Sequence, residues 1–89
     1  MNSFRLTGFL KNFAKLPDEV KELANKTYLL WKENPHYNSF QFKQIHPTKP
    51  FYSVRVGSNW RAVGYMQNKD IYWFWIGSHE DYNKLIRQL

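Results

Sequence analysis

Residues 51–65 most limit what this chain can fold into, because they read as two strands joined by a tight turn. Apolar and polar side chains alternate on both sides of Gly57-Ser58-Asn59, and these three residue types suit the positive φ of a hairpin turn. An arginine precedes the turn (Arg55) and another follows it (Arg61). In an antiparallel hairpin both guanidinium groups can emerge on one sheet face. Two sets of side chains are expected on opposite faces of the first strand: Phe51, Ser53 and Arg55 against Tyr52, Val54 and Val56.

The N-terminal third predicts a short strand followed by two helices. Phe4 and Leu6 alternate with polar neighbours, and Thr7 can cap a brief helix behind them. Leu16-Pro17-Asp18-Glu19 predicts the start of a second helix, with proline at its first position and acids at its positive end. Asn34-Pro35 predicts its end. The apolar stripe of this helix repeats at helical spacing: Val20, Leu23, Ala24, Thr27, Leu30 and Trp31.

The C-terminal part predicts further strands and one last helix. Residues 39–45 alternate as in a strand, and two prolines mark residues 46–50 as a loop. Residues 71–76 are apolar on both sides and therefore predict an interior strand, which Gly77-Ser78 ends. Ser78, with Asp81 three residues later, predicts a capped helix start. The buried stripe of this helix is expected to contain Tyr82, Leu85, Ile86 and Leu89.

These elements predict one α+β domain over residues 1–89, in the order β-α-α-β-β-β-β-α. Two N-terminal helices are expected to pack on one face of a twisted, mainly antiparallel sheet of four to five strands. A short C-terminal helix completes the fold, and the opposite sheet face stays partly open. We expect Lys43, Arg55 and Arg61 on that open face.

Composition narrows the setting in which the domain works. The chain has no cysteine, which excludes disulfides and thiolate metal sites and favours a reducing cytoplasm. Its start has no signal-peptide pattern and its longest apolar run is too short for a bilayer, so we expect a cytoplasmic protein without a membrane partner. The sequence contains no His/Asp/Glu spacing typical of a metal site and no glycine-rich phosphate loop typical of a nucleotide-cofactor site.

Charge is distributed unevenly along the chain, whose formal net charge is +6. No acid lies between Asn34 and Lys69. This segment can be a solvated basic surface, or it can be a polyanion site that attracts phosphates or an acidic partner. The basic side chains expected to contact RNA are Lys43, Lys49, Arg55, Arg61 and Lys69.

Two residues near the C-terminus are candidates for chemistry, each with a plainer alternative. His79 follows the last strand at the start of the last helix, where it can serve as an acid–base group near a phosphate or simply hydrogen-bond at the helix start. Tyr82 has the spacing of a core residue, but its ring can also stack on a base. His36 and His46 are expected to be ordinary surface groups.

The resulting inventory of a lysine, two arginines, a histidine and a tyrosine suits RNA cleavage without a metal. In that reaction the 2′-hydroxyl attacks the adjacent phosphate, which requires a base, an acid and cations for the phosphorane charge. Arginine binds phosphate oxygens in pairs and fits the last task.

Six segments form a recognisable pattern, in order and over nearly the whole chain: Leu16-Pro-Asp-Glu-Val, Asn34-Pro, Phe42-Lys43, Tyr52-Ser-Val-Arg-Val-Gly57, Trp60-Arg-Ala-Val-Gly64 and Trp75-Ile-Gly-Ser-His-Glu-Asp-Tyr82. Together they resemble the RelE/ParE superfamily of bacterial toxins. The closing Gly-Ser-His-Glu-Asp-Tyr motif is most similar to the HigB-type branch.

The resemblance implies the toxin of a type II toxin–antitoxin system, bound by an antitoxin in a hetero-oligomer. RelE- and HigB-like members are ribosome-dependent endoribonucleases (mRNA interferases) that cut mRNA in the 30S A site and so inhibit translation. By motif, Arg61 matches the arginine that stabilises the phosphate, and Arg55 and Lys43 match basic strand positions. His79 and Tyr82 match the basic or histidine side chain and the tyrosine near the C-terminus. The expected catalytic set is therefore Arg61, His79, Arg55, Lys43 and Tyr82, with no cofactor.

The chain also departs from the family pattern. Ser53 stands where some RelE-like toxins have a catalytic lysine, so His79 becomes the candidate for that role, and the spacing from His79 to Tyr82 is shorter than in RelE. ParE-like members keep the fold but poison DNA gyrase. A gyrase-directed toxin and an inactive, binding-only member are therefore the alternatives to a nuclease.

Overall fold

The computed structural model describes residues 1–89, and its elements follow the predicted order. The sheet has the strand order β1-β5-β4-β3-β2, with β1 parallel to β5 and all other neighbours antiparallel. The predicted α+β fold with a mainly antiparallel sheet is confirmed. None of its helices combines the length and apolar composition needed to span a bilayer. The strands are β1 (Ser3–Arg5), β2 (Lys43–Gln44), β3 (Phe51–Val56), β4 (Trp60–Gln67) and β5 (Asp70–Ser78).

The predicted hairpin is formed by β3 and β4. Gly57 has a φ of +62°, and a Cβ there would lie 2.7 Å from the Leu23 side chain, so both backbone and space favour glycine. Arg55 and Arg61 are direct cross-strand partners. The prediction that both arginines share one sheet face is therefore confirmed.

Helices α1 (Thr7–Ala14) and α2 (Asp18–Glu33) pack on the other face of the sheet. Trp31 of α2 meets Trp73 of β5 edge-on, with 5.3 Å between ring centroids. Both indoles are almost fully buried. The core around them is completed by Phe9, Leu16, Ala24, Val54, Val56, Ala62, Ile71 and Ile76.

The predicted stripe of α2 is only partly buried. Ala24, Thr27 and Trp31 are buried, whereas Leu23 and Leu30 are 37% and 46% exposed. Each of these leucines immediately precedes a buried residue and is thus rotated by about 100° from the centre of the stripe. The sheet covers the centre of the stripe and leaves this margin open.

Two predicted helix starts differ from the structure. Leu6, not Thr7, is the N-cap of α1, because the Leu6 N–H donates to the Trp73 carbonyl at 2.9 Å and holds the backbone extended there. Pro17 is the N-cap of α2 rather than its first residue, and its carbonyl accepts the N–H groups of Val20 and Lys21.

The strand predicted over residues 39–45 was too long. Asn38–Phe40 forms a 3-10 helix and Gln41 has a φ of +48°, so that only Lys43–Gln44 remains as β2. The N–H groups of Phe40 and Gln41 donate to Tyr37 and Asn38 within this turn. These bonds use backbone donors that a longer strand would offer to β3.

Strand β5 continues through the dipeptide that was predicted to end it. Gly77 and Ser78 pair with Arg61 and Trp60 of β4. Glycine is required at residue 77, because a Cβ there would lie 2.6 Å from the Trp75 ring. An irregularity between Val63 and Gly64 shifts the β4–β5 register.

Helix α3 (His79–Ile86) begins with the predicted cap, since the Asp81 N–H donates to the Ser78 hydroxyl at 3.1 Å. Its predicted stripe is buried at Tyr82 but 38% exposed at Ile86. The helix therefore attaches to the sheet chiefly through its first turn.

Candidate active site

The two arginines of the hairpin form the basic centre of the site. Cross-strand partners of this kind have Cβ atoms about 4.5–5.5 Å apart. Both arginines are half-buried, and each side chain donates to a carbonyl of its own hairpin: Arg55 Nε to Gly57 at 2.8 Å and Arg61 to Trp60 at 3.2 Å. The ion pairs of the structure involve other side chains, so both arginines keep donors for a ligand.

Burial lowers the pKa of Arg61, and repulsion from the neighbouring Arg55 lowers it further, while Tyr82 acts in the opposite direction. Arginine remains charged in spite of such shifts. An anion bound between the two guanidinium groups would relieve their repulsion, and the arrangement therefore favours a phosphate ligand.

Tyr82 connects the arginines to α3. Its side chain is buried, and its hydroxyl donates to the Ser53 hydroxyl at 3.4 Å. The Arg61 guanidinium carbon lies 5.9 Å from the centre of its ring, at cation–π distance. The His79 ring lies 6.1 Å away on the same helix, with 25° between the two planes. Tyr82 is therefore buried in the fold and also contacts Ser53, Arg61 and His79.

His79 is exposed at the first position of α3. Its backbone N–H donates to the Asn59 carbonyl at 2.8 Å, which ties the helix start to the β3–β4 turn. The amides of His79 and Asp81 are thus already bonded within the protein. The predicted anion contact at this helix start has to come from the imidazole rather than from those amides.

Lys43 approaches the site from the edge strand. It is exposed and is the cross-strand partner of Ser53, which places both side chains on the sheet face of the arginines. Ser53 itself is only 2% exposed. From the sequence alone, Ser53 stood out only because some RelE-like toxins have a catalytic lysine at that position. Its position two residues before Arg55 on a polar face was the signal for its place in the site.

Lys49 and Lys69 are not brought to this centre. Lys49 precedes β3 by two residues, and Lys69 lies in the β4–β5 turn. Each is six or more residues from the nearest arginine of its hairpin strand, or roughly 20 Å or more at strand rise. Both lysines therefore lie at the opposite end of the sheet.

The expected common hollow is not a single pocket. A surface hollow of about 390 Å³ is lined by Arg55 together with Ser39, Phe40 and Ser58, but not by Arg61. The Arg55 side chain turns toward its own hairpin loop because its Nε binds Gly57. The two arginines thus share an open sheet face, which suits an extended ligand better than an enclosed small molecule. No three histidine, aspartate or glutamate side chains are grouped so that they could hold a metal ion.

Solved structures with this fold include several toxin–antitoxin proteins. A chain of the RelBE2 toxin–antitoxin complex of Mycobacterium tuberculosis superposes with a TM-score of 0.70 at 11% identity, covering 88% of this chain and 96% of that one. YafQ of Escherichia coli gives 0.68 at 15% identity, with coverage of 91% and 96%. A chain of the intact E. coli RelBE complex gives 0.63 at 18% identity, with coverage of 85% and 93%. At these identities the likeness establishes the fold.

No curated protein sequence gives a significant match. The model of the ParE-like toxin domain, however, matches residues 18–84. This match includes α2, the hairpin with both arginines, and the first turn of α3. The chain therefore belongs to the ParE-like toxin domain family, within the RelE/ParE superfamily of toxins from toxin–antitoxin systems.

Proposed function

We propose that this toxin is a ribosome-dependent mRNA endoribonuclease that inhibits translation by cutting mRNA in the 30S A site without a metal ion. The observation that carries the proposal is the cross-strand pair Arg55 and Arg61 beside the Tyr82 ring, on which His79 stacks. This arrangement supplies cations and a proton-transfer group on one open sheet face.

The phosphate of the cut bond would lie against the arginines. Attack by the 2′-hydroxyl forms a phosphorane whose added charge needs donors that are already in place. Arg61 is held by the Trp60 carbonyl and by the Tyr82 ring, so little reorganisation is needed when the charge develops. Arg55 adds a second cation to the same phosphate.

Proton transfer would fall to His79. The reaction removes a proton from the 2′-oxygen and delivers one to the departing 5′-oxygen, leaving a cyclic phosphate and a 5′-hydroxyl. The imidazole is exposed at the rim of the site, and its ring plane is set by stacking on Tyr82. It can therefore reach either oxygen of an RNA strand on the open face.

Lys43 and Tyr82 would position the strand. Lys43 is an exposed cation next to Ser53 and is placed to contact a neighbouring phosphate. Tyr82 is fixed by Ser53 at one end and flanked by Arg61 and His79 on its ring. Its role is to hold those two side chains relative to the nucleotide.

An antitoxin is the second proposed partner. The M. tuberculosis and E. coli structures with this fold are complexes of toxin and antitoxin. For this chain, an acidic segment of the antitoxin would neutralise the basic face by covering the arginines and so exclude RNA.

Expression in growing cells tests the proposal. Arg61→Ala should reduce cleavage roughly 100- to 1000-fold, as expected when one charge-stabilising donor is lost. His79→Ala should reduce it roughly 100-fold or more. Growth arrest should weaken in parallel with transcript cleavage, whereas Lys26→Ala on α2, which removes an exposed cation elsewhere, should behave like the natural chain.

The binding-only alternative has one observation in its favour, since the matching family model is that of the ParE-like toxins. In that case the arginines would anchor an interface with gyrase or another protein. Growth would then stop while transcripts remain intact, and this result would contradict the nuclease proposal.

A further inference from the structure

A row of aromatic side chains crosses the open sheet face at the end remote from the candidate active site. Phe4 stacks on Tyr72 with centroids 5.0 Å apart, and Tyr72 stacks on Tyr65 at 5.2 Å. Phe74 lies 6.3 Å from Tyr65 and 6.0 Å from Phe51. We call this set the aromatic row: Phe4, Tyr72, Tyr65, Phe74 and Phe51.

The aromatic row does not belong to the hydrophobic core. Its members are absent from the core cluster, which lies beneath α1 and α2 on the other face. Phe4 is 43% exposed and the other four rings are half-buried. Cross-strand aromatic pairs stabilise a sheet, but the sheet needs no exposed ring surface for that purpose. A contiguous, partly exposed apolar surface of this kind indicates a binding site.

The aromatic row lies in line with the active site. Phe51 and Tyr65 are cross-strand partners, as are Arg55 and Arg61 four residues along the same strands. Four residues of strand span roughly 13 Å. Lys43, which is paired with Ser53, lies in the register between the two pairs. A strand of RNA bound at the arginines could therefore pass Lys43 and reach the aromatic row.

Two lysines, Lys49 and Lys69, flank the aromatic row. His46 packs against the Phe51 ring at 6.0 Å, and its Nδ1 accepts the backbone N–H groups of Thr48 and Lys49 at 3.2 and 2.9 Å. These bonds fix the backbone of Lys49, which lies two residues before Phe51 and whose carbonyl accepts the Phe51 N–H at 2.9 Å. Lys69 lies in the β4–β5 turn at the same end.

Acidic residues are nearly absent from this end of the sheet. Of the seven acids, four lie on α2 in the helical layer and two on α3. The remaining one, Asp70, accepts the Asn2 backbone N–H at 3.1 Å. The surroundings of the aromatic row are therefore basic.

We infer that the aromatic row is a subsite for single-stranded RNA, on which bases stack a few nucleotides from the cut phosphate. Lys49 and Lys69 neutralise the phosphates of the same segment. Stacking tolerates any base, because each has a π face, so the subsite adds affinity without sequence preference. Base-stacking rings beside cations are the combination that single-strand-binding proteins use, and covering of the same rings by an antitoxin segment is an outcome that the test below distinguishes. The inference rests on the proposed function, since the RNA is the strand that the active site cuts.

The test measures binding of a fluorescent, cleavage-resistant 2′-O-methyl oligouridylate by fluorescence anisotropy with the full chain. The variant carries Tyr65→Leu and Tyr72→Leu, which keep apolar volume but remove two ring faces. An oligomer of roughly 12 nucleotides should bind about 5- to 150-fold more weakly to the variant, the range produced by losing one base–aromatic stack. A dinucleotide, too short to reach the row from the arginines, should bind both proteins equally.

Two controls keep the result interpretable. Phe4→Leu alone changes only the exposed edge ring, so it tests the row even if the double variant is poorly folded, and it should weaken binding of the long oligomer in the same direction. Leu29→Ala, on the outer surface of α2, should leave binding unchanged. Equal affinity of the long oligomer for the natural chain and for both leucine variants would overturn the inference, as would variants that lose antitoxin but not RNA.

The outcome is separable from that of the proposed function. Cleavage of mRNA with no effect of the leucine variants on oligomer affinity would reject the subsite and leave the nuclease intact. Ring-dependent binding of the long oligomer by a chain that leaves transcripts whole would support the subsite and reject the nuclease.

Discussion

At the scale of single residues, the hydroxyl of Ser53 holds the centre of the site. It is buried and accepts the only hydrogen bond of the Tyr82 hydroxyl, at 3.4 Å. Because the bond is long, Ser53→Ala should cost about 1 kcal/mol of unfolding free energy, the lower part of the range for an unpaired buried donor. Urea unfolding measures this cost, and mRNA cleavage should fall with it.

A double-mutant cycle separates the hydrogen bond from simple packing. Tyr82→Phe removes the donor together with its need for a partner, so adding it to Ser53→Ala should cost less than the two single changes combined. Strict additivity would show that the two hydroxyl groups do not interact.

In the proposed role, Arg61 would serve function at the expense of stability. Burial and Arg55 lower the pKa of Arg61, which means that the folded state disfavours its charged form. Arginine stays charged throughout the working pH range in spite of such a shift, so this penalty does not change with pH there. Arg61→Gln should therefore keep or raise the melting temperature while abolishing cleavage. A marked loss of stability would contradict the assignment of Arg61 as an unpaired, ligand-ready cation.

At the scale of elements, α3 depends on its cap. Ser78 bonds the Asp81 N–H, and the helix carries both His79 and Tyr82. Ser78→Ala should destabilise the helix start by about 1 kcal/mol, whereas Ser78→Asp, another good N-cap, should restore it. Hydrogen exchange of the α3 amides measures the effect. If cleavage falls with Ser78→Ala and is kept with Ser78→Asp, the order of the helix and the activity are connected.

Local patterns predicted those elements whose bonds are local. Strict alternation assigned the faces of β3 and β4, and the pairing of Arg55 with Arg61 followed from the turn at Gly57. The alternation of Phe40 and Phe42 led to the prediction of a strand that was too long, because a 3-10 turn can also direct both rings into the core. The irregularity beside Gly64 depends on cross-strand bonds that no local pattern reveals.

At the scale of the whole molecule, contacts between segments that are distant in sequence determine features that local patterns do not predict. The parallel pairing of β1 with β5 joins residues nearly a full chain length apart, as Ser3 with Ile71. The hydrogen bond from Tyr82 to Ser53 also joins two segments that are distant in sequence. Charge along the sequence predicted one basic site, whereas the fold divides those cations between the arginine centre and the far end that holds Lys49 and Lys69.

The division of charge has a measurable consequence for RNA affinity. Affinity for single strands falls with salt by a slope of roughly 0.7 for each phosphate that a cation neutralises. Lys49→Gln combined with Lys69→Gln should reduce the slope for a long oligomer by about 1.4 and leave that for a short one unchanged. An unchanged slope for the long oligomer would show that RNA does not reach the far end of the sheet.

The central claim is that the arginines and His79 cut RNA together, and product ends from a purified translation system test it most directly. Primer extension should reveal new 5′ ends within the codon in the A site when the natural chain and ribosomes are both present. These ends should bear 5′-hydroxyl groups and disappear with Arg61→Ala or His79→Ala. Intact transcripts with the natural chain, or equal cleavage by all three proteins, would contradict the account.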